Sequence, residues 1–141
     1  MSQFEWSNNL DTSIEEIDLQ HRQLVNFFNQ FMDAQQDRYE VRMALDNLRS
    51  YALYHFAFEE SLMDAAGYEF VRAHKKVHEL INKRMNEIYL RFNAGDDVTG
   101  RMGNLLNKWH DHILNDDTAY ASIVKAYEDA PLGNHNHPID S

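Results

Sequence analysis

Five histidines and two carboxylates fall at spacings that can aim their side chains at common points. His55 and Glu59 stand four residues apart, as do His74 and His78. On a helix that spacing leaves an offset of only about 40°, so each pair shares a face. His21 stands alone in an earlier apolar stripe, and His112 is followed five residues later by Asp117. In a straight helix that last spacing turns the carboxylate away by about 140°. The segment Asn115-Asp116-Asp117-Thr118 readily ends or loosens a helix, so a carboxylate just past the last turn can fold back toward the axis. Asp116 competes with Asp117 for this role, and Glu60 with Glu59.

One histidine on an apolar helix face is more often a hydrogen-bonded core residue than a ligand. Several such features on separate helices have a different meaning. Burying five imidazoles and two carboxylates without compensation costs several kcal/mol for each unpaired charge, more than a small domain can offset. Bound dications remove that cost. The chain has no cysteine, so metal must be held by nitrogen and oxygen. Imidazole suits iron, copper, nickel and zinc, and carboxylates can bridge two ions. Seven ligands exceed the needs of one tetrahedral zinc and suit two ions that share bridges.

The elements that must position these residues are helical. Both prolines lie in the tail, and the first 66 residues contain no glycine. Apolar residues recurring at three, four and seven predict helices over about 14–32, 39–65, 70–92 and 98–115. Ser13 with Glu16 forms a capping-box pattern for the first, and Asp18 is an alternative cap. Gly67 stops the second helix, and the segment 93–97 closes the third. Connections this short predict an all-α, up-down-up-down antiparallel four-helix bundle. Residues 1–13 form an arm carrying Phe4, Trp6 and Leu10, which can pack across the core. The expected domain covers residues 1–128. Residues 129–141 read as a flexible tail or linker, with no structure expected after Tyr127.

The 141 residues, 43% of them hydrophobic, suit one domain with one core. Acidic residues outnumber basic ones by 23 to 13, giving a charge of −10, and such a surface repels phosphate backbones. Nucleic acid is excluded as a partner. The N-terminus lacks the basic start and apolar run of a signal peptide, and no stretch approaches the roughly 20 apolar residues that span a bilayer. A cytoplasmic protein without membrane association is expected.

Ile17-Asp18-Leu19-Gln20-His21, His55-Phe56-Ala57-Phe58-Glu59-Glu60, His74-Lys75-Lys76-Val77-His78 and His112-Ile113-Leu114-Asn115-Asp116-Asp117 together resemble the hemerythrin family in its bacterial form. Order and spacing agree over about residues 4 to 127, with Trp6 in the arm and Tyr120 after the last motif. The resemblance implies two iron ions joined by an oxo or hydroxo bridge. His74, His78 and His112 would bind one ion, His21 and His55 the other, and Glu59 and Asp117 both. It further implies reversible dioxygen binding at the ion with two histidines, and no catalytic residues. Leu24, Phe28, Phe56, Leu62, Trp109 and Ile113 would form an apolar surround. Carrier, store and sensor roles are all compatible, as are nitric oxide handling, an attached output domain and an oxygen-using partner enzyme.

The chain departs from the family at Lys108-Trp109-His110-Asp111, since relatives usually carry tryptophan four residues before the last helix's histidine. His110, two positions from His112, faces elsewhere, and His135 and His137 lie in the tail. A ferritin-like oxidase would need Glu-x-x-His motifs, which this sequence lacks.

Overall fold

The computed structural model describes residues 6–34 and 37–129. Five helices follow in order: α1 (Glu15–Asp33), α2 (Arg38–Ala66), α3 (Val71–Asn93), α4 (Thr99–His112) and α5 (Thr118–Asp129). Between α4 and α5, Ile113–Asp117 form a π-helical turn, and both flanking residues keep right-handed helical angles. The last two helices therefore make one column, and the molecule is an up-down-up-down four-helix bundle. The sequence placed the end of that column near residue 115. It continues to Asp129 through the π-helical turn Ile113–Asp117, which widens the column without breaking it. Glu128 and Asp129 are thus helical, beyond the expected limit at Tyr127. The remaining tail, with His135 and His137, lies outside the described residues, as does Phe4.

Local chemistry sets most boundaries. Asp37 caps α2 by accepting from the Tyr39 and Glu40 backbone N–H groups. Gly67 ends it in the left-handed region at φ 69°, where Tyr68 N–H bonds back to the Met63 carbonyl. The start of α1 uses neither expected cap. Ser13 itself adopts φ 68°, and α1 opens from Ile14 without a side-chain cap. Asp18 instead accepts from both the backbone N–H and the hydroxyl of Thr12, each at 2.8 Å, tying the arm to the first turn.

The apolar core falls into two clusters. The larger holds Leu24, Phe28 and Phe31 of α1, Leu45, Leu48 and Ala52 of α2, Ile81, Met85 and Ile88 of α3, and Met102, Leu105 and Trp109 of α4. The smaller holds Ile14, Ile17, Met63, Tyr120, Ala121 and Val124. Along each helix the buried histidines and carboxylates fall between the two, so a polar layer crosses the bundle. The arm packs as expected: Leu10 is fully buried, and Trp6 donates to Asp11 at 2.9 Å beneath the Arg22 guanidinium. Among the described residues no helix is long and apolar enough to cross a membrane.

Candidate metal centre

All seven residues singled out by the sequence pattern and the family resemblance are buried and meet in this polar layer. His74, His78 and His112 cluster with ring centroids 4.5 to 5.1 Å apart. His21 and His55 form a separate pair at 4.7 Å. Two carboxylates stand between the groups. Asp117 places Oδ1 2.8 Å from His74 Nε2 and 3.2 Å from His112 Nε2, and Oδ2 3.0 Å from His21 Nε2. Glu59 places Oε1 3.2 Å from both His55 Nε2 and His78 Nε2.

The π-helical turn explains how Asp117 arrives there. Its i→i+5 bonding brings a residue five positions on back to the same face one turn later, which an α-helix forbids. Asp116 and Glu60, the rival carboxylates, contact the same histidines from outside. Asp116 Oδ2 lies 2.7 Å from His112 Nδ1, and Glu60 Oε2 lies 2.8 Å from His78 Nδ1. Each rivalry thus ends with one carboxylate inside and its neighbour supporting a ring.

The inward atoms lie close to one another without making well-aligned hydrogen bonds among the described residues. Nε2 of all five histidines, Oε1 of Glu59 and both Asp117 oxygens are buried with no hydrogen-bond partner among the described residues. So many orphaned lone pairs aimed at one place would be destabilising unless cations sit among them. The donor set therefore fits metal. It divides into two overlapping groups, Glu59, His74, His78, His112 and Asp117, and His21, His55, Glu59 and Asp117, with ligand atoms within 4.8 Å of one another.

The histidines and carboxylates of the cluster are also coupled electrostatically. Burial pushes the His21 imidazole down, but contacts with Asp117 and Glu59 outweigh it and raise its pKa to about 10. Burial and the Glu59 charge push Asp117 up, yet His112, His21 and His74 hold it at about 2. Burial alone dominates at His55 and lowers it. Metal-free His21 is therefore protonated at neutral pH, and an entering metal must displace that proton. Its stabilising contribution to the metal-free fold is complete below the unfolded value near 6.5 and is lost as pH rises through about 10. Metal loading should release protons, and affinity should rise by up to about tenfold per pH unit between pH 7 and about 10. Calorimetry in buffers of different ionisation heat checks this, and loading without proton release would contradict it.

Two buried neighbours were not chosen from the sequence as partners of the cluster. Gln20 Oε1 lies 2.7 Å from His55 Nδ1, while its amide donates to Glu16 at 3.1 Å. Tyr120 donates to Glu59 Oε2 at 2.6 Å. Gln20 carried a usable signal, standing beside His21 on the apolar stripe, whereas Tyr120 and Glu59 are 61 residues apart. Tyr120→Phe should destabilise the protein by about 1–3 kcal/mol, since it strips a donor from a buried carboxylate. A lowered denaturant midpoint at unchanged slope is the expected result.

The apolar surround is largely as expected. Leu24, Phe28, Phe56, Trp109 and Ile113 are buried, with Trp109 edge-on to Phe28 at 5.2 Å and near Phe56 at 5.3 Å. Leu62 differs: it is only partly buried, beside the smaller cluster, and its neighbour Met63 fills the interior. His110 is half-exposed beside Asp111, away from the centre.

The hemerythrin HHE cation binding domain model matches residues 12–124. The chain belongs to the hemerythrin family. Hemerythrin relatives include bacteriohemerythrin of Pseudomonas aeruginosa strain LESB58, 44% identical over 128 residues that cover 89% of this chain and 84% of the relative. Bacteriohemerythrin of Stenotrophomonas maltophilia is 43% identical over 125 residues, covering 86% and 82%. A wild-type hemerythrin crystal structure superposes with a TM-score of 0.83 at 25% identity, covering 89% of this chain and all of that one. Family and buried cluster together make this a hemerythrin-type iron protein.

Proposed function

We propose that the seven residues hold two irons and that the protein binds dioxygen reversibly there. The observation that carries the reading is the overlap of the two donor groups: three histidines on one side, two on the other, and both carboxylates common to each. His74, His78 and His112 would hold one ion, His21 and His55 the second, and Glu59 and Asp117 both. Two ferrous ions, when bound, can supply two electrons to dioxygen and recover them on its release. The second ion would receive one histidine fewer, which would leave room there for a ligand from outside.

The chain's own residues favour binding over turnover. Leu24, Phe28, Phe56, Trp109 and Ile113 keep bulk water from the centre, which suppresses proton-driven side reactions. Tyr120 holds Glu59 in place, and Asp116, Glu60 and Gln20 fix three histidine rings with Nε2 inward. Carrier, store and sensor would all use this one step.

Purified protein should contain two irons per chain. After anaerobic reduction it should take up oxygen with a visible absorption change, return the gas when oxygen pressure is lowered, and repeat the cycle. A colourless protein carrying only zinc would refute the reading. Oxygen consumed and not returned would favour an oxidase.

A further inference from the structure

The partners behind the histidine rings are chemically unequal, and the inequality follows the division of the cluster. On the three-histidine side, His78 Nδ1 meets the Glu60 carboxylate at 2.8 Å and His112 Nδ1 meets the Asp116 carboxylate at 2.7 Å. On the two-histidine side, His55 Nδ1 meets only the neutral amide oxygen of Gln20 at 2.7 Å. His21 Nδ1 is buried with no partner among the described residues. The Gln20 orientation is fixed, because its NH2 group donates to Glu16 Oε1 at 3.1 Å and so leaves its oxygen to accept from His55.

We infer that Glu60 and Asp116, set against Gln20, make the two metal positions electronically unequal, so that a single ferric ion resides on the side of His74, His78 and His112. The inference rests on the di-iron reading above. A carboxylate accepting an imidazole N–H draws the proton toward itself and makes the opposite nitrogen a stronger donor. Its negative charge also favours the more highly charged ion. A neutral amide does the first weakly and the second not at all. The ion held by His21 and His55 therefore stays ferrous more readily, and this is the ion with room for an outside ligand. Glu60 outweighs Asp116 in this respect, because its side chain is 27% exposed against 45% and its charge is less screened.

Two variants test this against wild type. Glu60→Gln keeps an acceptor of the same shape behind His78 and removes only the charge. The exchange Glu16→Gln with Gln20→Glu preserves the hydrogen-bonded pair on α1 but puts a carboxylate behind His55. Iron content is measured first, and a wild-type protein that does not hold two irons refutes the di-iron reading and this inference with it. With two irons present, a mediated redox titration gives the one-electron potential, and Mössbauer spectra of the half-reduced protein report where the ferric ion sits.

Glu60→Gln should weaken ferric preference by about tenfold, raising the potential by about 59 mV, and the exchange variant should lower it. The exchange should also spread the ferric signal over both positions. Potentials unchanged in both variants, with two irons retained, overturn the inference and leave the di-iron reading intact. A purely structural role for Glu60 predicts that result. If Glu60→Gln loses iron, the exchange variant decides alone: a lowered potential supports the inference and an unchanged or raised one overturns it.

Discussion

Asp117→Asn should abolish stable binding of both metals. Asp117 is fully buried and divides its two oxygens between the histidine groups, Oδ1 toward His74 and His112 and Oδ2 toward His21, with the shortest of these contacts at 2.8 Å. Asparagine fills the same volume but removes the charge and replaces one oxygen with an NH2 that presents hydrogens where lone pairs are needed. Partners that merely hold a ligand typically contribute 10–100-fold in metal affinity, so the loss here should be at least about 100-fold at each position. Metal binding adds to folding free energy in proportion to the logarithm of ligand over its dissociation constant. The variant should therefore unfold at a temperature indifferent to added ferrous iron, while wild type shifts upward with it. Elemental analysis after desalting is the direct check, and a variant that retains two irons per chain would remove Asp117 from the centre.

His78→Ala and His110→Ala should separate the centre from histidines at large. The His78 ring is buried, stacked 4.0 Å from Phe56 at 15°, and sits between Glu59 inside and Glu60 outside. Alanine removes one donor, leaves two carboxylates without that partner and opens a cavity. Large-to-small changes in a core cost about 2–5 kcal/mol, to which the lost metal linkage adds. Iron should fall to one per chain or none, with a lowered unfolding midpoint. The His110 ring is 39% exposed beside Asp111 at 3.7 Å. Its alanine variant should keep its iron and stay within about 0.5 kcal/mol of wild type. Equal iron loss in both variants would mean that the effect of His78 is not that of a metal ligand.

The same contrast shows what a one-dimensional pattern can carry. Helical periodicity reports which face of its own helix a residue occupies. That was enough to pick His21, His55, His74, His78 and His112 as inward, and to leave His110 outside. It also gave the bundle, because amphipathic stripes joined by short turns have few other ways to bury their apolar faces. It misjudged the start of α1, where Ser13 takes a left-handed conformation and Asp18 binds Thr12 instead of capping the helix. Leu62 was misplaced by one residue, since Met63 is the one turned inward.

Asp117 marks the limit of that reasoning. At five residues from His112 it lies off the face by α-helical geometry, and only the π-helical winding of Ile113–Asp117 returns it. Sequence could mark the segment as loose but not distinguish a widened turn from a broken one, because both satisfy the same local preferences and packing of α5 decides between them. Residue types and spacing determined by themselves that this protein builds a bundle and lines it with five histidines beside candidate carboxylates, and the family resemblance chose Glu59 and Asp117 among these. The tertiary structure decided which carboxylate of each adjacent pair faces inward, that Tyr120 meets Glu59 and Gln20 meets His55, and that among the described residues charged partners stand behind the histidines of one half of the cluster. Those are contacts between helices or across a changed winding, set by the height and rotation at which the helices pack, and no periodicity along a single helix encodes them.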